Sequence, residues 1–439
     1  MKIIRRAIAP LLISSAFQLA PAAVTFTGAA ADAVVITPAA STGLEAVYVL
    51  PSTDGVTMEF TGASASARWS VFSNMGGAYA QEAGTGTTLP CRSGDMGYIV
   101  EDNGRQTCFW VVDYSIHELN LESIVFNAAD SDCSRAVFDF TGNADEIAYF
   151  TINGRRTILP RDLELTWQTL AFDENSFSFT NSQGSETLPS VQRTAGAPAA
   201  FCNTSYILSG DRFLNAWGRP QSIESETLTA YAVDARTRAT QTPREADNEI
   251  KDDSEGLGGS APCEIKFEAA VTDAAVYTQW EISRSQEFDI LENSFNELEF
   301  TYTFTDQGTY YVRFTANNAD ATCPYESEVY EVSIGESRLD IPNAFSPEAS
   351  PGTNDEWKVS YKSLIDYECH IFNRWGKELF SSTDPSQGWD GKHGGKYVPA
   401  GVYFYVIKAT GSDGKKYNKS GDINIINYKI GDSGQQTVD

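Results

Sequence analysis

Short alternating runs dominate the chain. Met58-Glu59-Phe60-Thr61-Gly62 and Phe138-Asp139-Phe140-Thr141-Gly142 share one pattern, and Ile265-Lys266-Phe267-Glu268-Ala269 repeats it loosely. Positions i and i+2 share one face of a strand, so each run predicts a half-buried strand. After each comes an aromatic followed two residues on by a β-branched residue: Trp69 and Val71, Phe150 and Ile152, Trp280 and Ile282. Phe60 to Phe140 spans 80 residues, a suitable length for one small sandwich whose core aromatic sits between two sheets. The pattern predicts three immunoglobulin-like sandwiches; the alternative is chance likeness among the strands of one larger β-domain. Alternation at Leu163, Leu165 and Trp167, at Phe300, Tyr302 and Phe304, and at Tyr310, Val312 and Phe314 supports an all-β class.

Two stretches break the alternation. Between Asp234 and Pro262 only Ile250 and Leu257 are large apolar residues, which predicts an acidic linker over 239–260. Asn181 to Ala200 is similarly poor in core residues and predicts a long loop. The resulting order is a signal segment (1–31), immunoglobulin-like domains over 32–116 and 117–238, the linker, a third domain over 261–337, a C-terminal domain over 338–430 and a tail over 431–439.

The start of the chain reads as an address. Lys2, Arg5 and Arg6 precede an apolar run from Ala7 to Ala20 and the small residues Ala20-Pro21-Ala22-Ala23, the order of a secretory signal peptide. The run is too short and too polar to span a bilayer. Cleavage after Ala22 or after Ala31 leaves small residues at the positions read by a signal peptidase. The net charge of −27 has the wrong sign for nucleic acid or an anionic membrane. Lysine divides the chain: none lies between Lys2 and Lys251, and ten of thirteen lie from Lys358 onward. Residues 338–439 carry a net charge of only −1, so an acidic body precedes a near-neutral tail.

Seven cysteines, none in a C-x-x-C pair, exclude zinc ribbons and thioredoxin-like motifs. Export makes disulfides plausible. In the second and third domains one Cys precedes the repeated strand and another lies near the far end, which predicts Cys133 with Cys202 and Cys263 with Cys323. Cys91 and Cys108 bracket a predicted hairpin and form the third expected pair, leaving Cys369 as the odd thiol, buried in a tail strand.

The third domain resembles the PKD-like branch of these sandwiches through Gln279-Trp280-Glu281-Ile282, Thr303-Phe304-Thr305-Asp306 and Gly308-Thr309-Tyr310-Tyr311-Val312. The tail carries a more specific likeness in five ordered blocks. They run through Pro342, Asn343, Phe345, Ser346 and Pro347; Asn354, Asp355 and Trp357; Asn373, Arg374, Trp375 and Gly376; Trp389, Asp390 and Gly391; and Pro399, Gly401 and Tyr403. From Leu339 to about Asn427 the sequence resembles the C-terminal sorting domain of proteins exported by the type IX secretion system of the Bacteroidetes, the gliding-motility-associated variety. The resemblance implies a β-sandwich read by the type IX translocon and its attachment machinery. Two departures stand out: Glu348 to Thr353 replaces the family's N-G-D-G-type loop, which weakens any calcium expectation there, and the chain runs nine residues beyond Ile430. Within this block Trp357 and Val359 alternate on one strand, Cys369 and Ile371 on another, and Tyr403 to Ile407 is apolar throughout, which predicts a strand buried on both faces.

No G-x-S-x-G, H-E-x-x-H or phosphate-loop motif occurs, and His117, His370 and His393 are scattered. No catalytic, cofactor or metal residue is assigned; Asp130, Asp132, Asp252 and Asp253 read as solvated acidic loops and His117 as a surface residue. The expectation is a secreted or surface-displayed, non-catalytic adhesive, binding or structural protein that reaches the surface through the periplasm. Its extracellular ligand, glycan or protein, is unknown. The alternative is an exported hydrolase with catalytic carboxylates in the first two domains.

Overall fold

The computed structural model describes residues 24–251, 256–347 and 354–426. The signal segment before residue 24, Asp252 and Asp253, the loop 348–353 and the residues after 426 lie outside them. The described chain is nearly all strand and falls into two compact units, the first holding residues up to 168 with 183–198 and 203–228, the second holding 169–182, 199–202 and the residues from 229 onward.

In the first unit, the first sandwich packs a three-stranded sheet (Val24–Thr27, Thr57–Phe60, Thr88–Pro90) on a six-stranded one. The latter has the order Val34–Ile36, Ala46–Leu50, Arg105–Asp113, Met96–Asp102, Arg68–Phe72, Gln81–Thr85. Met58 and Trp69 are fully buried between the sheets, as their alternation predicts. The Trp69 ring meets Phe109 edge-on at 6.4 Å, and its Nε1–H finds the Gly86 carbonyl at 2.8 Å, so the large ring is buried without stranding its donor. Asn103 and Gly104, both at positive φ, form the two-residue turn between Met96–Asp102 and Arg105–Asp113.

The second sandwich sets Asn120–Phe126, Arg135–Asn143 and Thr194–Pro198 against a four-stranded sheet of Ser178–Leu188, Leu163–Asp173, Tyr206–Gly210 and Gln221–Glu224. Trp167 stacks on Tyr206 at 5.4 Å, and Phe138 lies 4.6 Å from the same ring. Phe150 therefore does not hold the place expected of it. It reaches out to Trp110 of the first sandwich at 5.7 Å, while the Ile152 N–H donates to the Thr42 carbonyl and the Gly77 N–H to the Ile152 carbonyl. This docking covers the outer face of the first sandwich's large sheet and explains why Ala46–Leu50 is buried at every position. The stretch 181–200 is not a loop; it holds one long strand and one short one. Their apolar signal is faint because the inward residues Ala195 and Ala197 are small.

A buried ion pair also joins these two sandwiches. Arg161 and Asp211, both essentially without solvent exposure, meet at 2.7 Å. The Tyr114 hydroxyl donates to the same carboxylate at 2.9 Å, and Arg161 donates further to the carbonyls of Asp145 and His117. Asp211 also caps the short helix Arg212–Ala216.

In the second unit, the third sandwich packs Ala235–Gln241, Cys263–Val271 and Glu299–Phe304 against a six-stranded sheet centred on Gly308–Asn317 and Tyr277–Ser283. Trp280 is fully buried there beside Phe267 and Phe314. The tail domain has a five-stranded sheet in the order Ala344–Phe345, Lys416–Ile425, Gly401–Gly411, Leu364–Phe372, Glu378–Ser382, with a small sheet of Arg338–Asp340 and Ser360–Lys362.

The expected linker is largely structured. Ala235–Gln241 opens the third sandwich and Leu257–Gly259 pairs in parallel with Tyr330–Ile334. Residues 246–250 lie on the tail: Asn248 Nδ2 donates to the carbonyls of Val359 and Pro385 at 2.7 and 2.8 Å, and the Tyr361 N–H donates to the Asn248 carbonyl at 3.1 Å. The Ile250 N–H donates to the Tyr361 carbonyl at 2.7 Å. Backbone pairing holds these residues, so a hydrophobic pattern does not reveal them.

The cysteines correct the expected pairing. Cys91, Cys108, Cys202 and Cys263 carry free thiols, so Cys91–Cys108, Cys133–Cys202 and Cys263–Cys323 do not form; Cys133 and Cys323 are disulfide-bonded. Cys91 precedes that hairpin, whereas Cys108 does not bracket it but lies buried within its second strand, opposite Ile99. Cys369 is free and buried, and burial pushes its thiol up to about 11.

Candidate export-signal surface

The five tail blocks separate into anchors and surface. Phe345, Trp357, Trp389 and Tyr403 are buried in one core. Trp357 and Trp389 exchange backbone hydrogen bonds at 2.9 and 3.0 Å, and Trp357 Nε1–H donates to the Pro342 carbonyl at 2.7 Å. Trp389 packs against Phe345 and Tyr403, whose hydroxyl donates to the Pro399 carbonyl. The Asn343 carbonyl accepts from the Asn424 N–H, and the Ser346 N–H donates to the Asn354 carbonyl, so this block stitches the first tail strand to the last. Gly391 sits at φ +76°, and a Cβ there would meet Pro347 at 3.0 Å. Asp390 accepts from the Lys392 N–H and steers that turn. Asp355 lies in the bend before Trp357, and Gly401, at φ +151°, opens the strand Gly401–Gly411.

The Asn373-Arg374-Trp375-Gly376 block does something different. Asn373 Oδ1 accepts from the Trp375 and Lys377 N–H groups, and Gly376 takes φ +78°, so the turn is built to project its middle residues. Trp375 is 76% exposed with the Arg374 guanidinium 4.3 Å over its ring. Beside it the strand Gly401–Gly411 presents Val402, Phe404 and Val406 to solvent, Phe404 at 43% exposure. Burial on both faces, expected of this strand, is thus corrected: Tyr403, Tyr405 and Ile407 face the core, while the other parity has no covering layer among the described residues. Phe372 pairs with Phe404 across the sheet. A groove of about 680 Å³ runs between Trp375, Leu379, Val398 and Phe404.

His370, opposite Val406, is clamped by Glu368 and Glu378, each at 3.0 Å. The hydrogen bond to Glu368, supplemented by that to Glu378, raises the imidazole above its ordinary value against the opposing effect of desolvation.

The carboxylates considered for catalysis serve turns where they are described. Asp132 accepts from the Ser134 and Arg135 N–H groups, and Asp130 accepts from Asn127. His117 is not a free surface residue; its Nε2 lies 2.7 Å from Asp95, whose other oxygen accepts the Asp113 N–H. His393 is exposed on the short strand Lys392–His393, with its Nδ1 3.2 Å from the Leu379 carbonyl. Among the described residues no three His, Cys, Asp or Glu side chains gather as a metal site, and no helix is long and apolar enough to cross a membrane.

Family models match two segments: a fibronectin type III domain over residues 125–225 and the CHU_C type IX secretion signal domain over 339–425. A search of curated proteins finds no match. Among solved structures, the chain is similar to a tetra-tandem repeat in the extending region of a large adhesion protein (10% identity, 86% of this chain and 96% of that one, TM-score 0.19). It is also similar to three N-terminal domains of the bacteriophage RB49 highly immunogenic outer capsid protein (13%, 70% and 99%, TM-score 0.22). A third is dimeric latent PorU from Porphyromonas gingivalis (10%, 74% and 36%, TM-score 0.15). At such scores nothing is carried over from these structures. The chain is a multidomain β-protein that bears a type IX secretion signal domain at residues 339–425, preceded by a fibronectin type III domain.

Proposed function

We propose that this is a non-catalytic, surface-displayed binding or adhesive protein of a Bacteroidetes cell. A signal peptide takes it into the periplasm, and its tail domain is then read by the type IX translocon. The observation that carries the reading is the secretion-signal match over 339–425, on a domain that buries its motif anchors and offers Trp375, Val402, Phe404 and Val406 to a partner. Monomeric proteins seldom leave such contiguous apolar surface uncovered without a contact to make. The sandwiches of the body supply loops and sheet faces for an extracellular ligand.

The test is localisation of the full chain against two variants: deletion of 339–439, and Phe404→Glu, which charges an exposed position without touching the core. Both are expected to leave the body in the periplasm, and the Phe404→Glu protein should keep its melting temperature. Normal surface display of the deletion variant overturns the export reading; normal display of Phe404→Glu removes the apolar face from it.

A further inference from the structure

We propose that the outer face of the third sandwich's large sheet holds a binding site for a neutral oligosaccharide. This deepens the reading of the body as a binding surface and does not depend on export. In Tyr277–Ser283 the parity is fixed by Trp280 and Ile282, which are fully buried, so Tyr277, Gln279 and Glu281 face outward. The register then sets Tyr277 beside Asn317 and Gln279 beside Thr315, with Glu326 next across from Thr315. These side chains, with Asn296, line a depression of about 750 Å³, inside the range of about 300–1,000 Å³ typical of small-ligand sites.

The chemistry of the lining selects the ligand class. Tyr277 is 58% exposed and offers an aromatic face to the apolar C–H face of a sugar ring. Three amides and a hydroxyl offer donors and acceptors together, which matches a ring of hydroxyl groups better than any single charge would. The Asn317 Oδ1 accepts from the N–H groups of Asn318 and Cys323, which fixes this amide and turns its NH₂ to the ligand. The one carboxylate of the lining, Glu326, shares the single Arg313 guanidinium, at 2.9 Å, with Glu281, at 2.7 Å, so the trio keeps one net negative charge. No uncompensated cation is left for a sulfated or uronic glycan, and the residual negative charge, on a chain of net charge −27, repels one.

The experiment uses the purified full chain on an array of neutral and anionic oligosaccharides, followed by calorimetric titration of the best neutral ligand. Binding to neutral spots is expected, insensitive to a tenfold rise in salt. Tyr277→Ala and Gln279→Ala should each weaken it at least tenfold, with the melting temperature unchanged because both positions face solvent. Absence of neutral binding at millimolar ligand overturns the site. So does preference for anionic spots, or binding that both variants retain. None of these results bears on localisation, so this site and the export reading fail separately.

Discussion

Asn248 decides whether the sorting domain begins at residue 339 or includes chain that precedes the third sandwich's strand Cys263–Val271. Replacing it by Ala deletes two short N–H···O=C bonds, worth roughly 1 kcal/mol each, and leaves the Val359 and Pro385 carbonyls short of a donor, which adds to the cost. The native Asn248 Oδ1 is itself buried without a hydrogen-bond partner, so its removal returns part of that cost. The net loss is about 2 kcal/mol, a roughly 30-fold increase in the open population of residues 246–250. Asn248→Asp sets carboxylate oxygen against the same two carbonyls and should open the segment further. Hydrogen exchange of the full chain reads this directly, because the Tyr361 amide is bonded to the Asn248 carbonyl and the Ile250 amide to that of Tyr361. Both amides should lose protection in the order Asp, then Ala, then wild type. Unchanged protection in both variants would refute the reasoning and return these residues to the status of a linker.

Three further outcomes are expected. Mass spectrometry of the mature protein should show cleavage after Ala22 rather than Ala31, because the later cut removes Val24–Thr27, which pairs with Thr57–Phe60 and buries Val24; a mature chain starting at Asp32 counts against this. Asp211→Ala should destabilise the first unit by about 3–5 kcal/mol, since it strands the Arg161 guanidinium in the interior and uncaps a helix; a urea midpoint near wild type would show the pair to be dispensable. The His370 clamp should stabilise the tail fully below the unfolded imidazole value of about 6.5, and the contribution should fade as pH rises through the higher folded value. A His370→Gln chain should lack that dependence, and identical pH profiles would dismiss the clamp.

The all-β class and the buried places of Trp69 and Trp280 were legible because one strand parity was apolar and the other was not. Legibility ended where that contrast vanished. Tyr403 through Ile407 is apolar at every position, so sequence cannot tell which parity meets the core, and the exposed Val402–Phe404–Val406 face was read as buried. Trp389 and Trp375 carry the same side chain in neighbouring motifs, yet one is an anchor and the other a projecting turn residue; the Asn373 side chain bonded to two backbone amides makes the difference. Strands within 181–200 and around residue 258 were hidden because Ala, Gly and backbone hydrogen bonds hold them. The cysteine pairing failed because proximity in sequence to a repeated strand does not bring two Cα atoms to the short distance a disulfide needs.

Charge and shape divide the labour along the chain in a way that follows from the lysine discontinuity. The body carries nearly all the net negative charge, so neighbouring bodies repel one another and resist association during transit. The tail, close to neutral, carries no such barrier. Its apolar face is bordered by Arg374 and by the His370 clamp, with Asp422, opposite Phe404, held by the Asn424 side-chain amide. A recognition partner can therefore approach this end without overcoming long-range repulsion and gain from covering Phe404 and Trp375. The depression at Tyr277 selects by charge in a different way, since its one arginine, Arg313, is already shared by Glu326 and Glu281 and leaves no cation for an anionic ligand. An uncharged ligand meets neither attraction nor repulsion there and binds without salt dependence on a strongly charged protein.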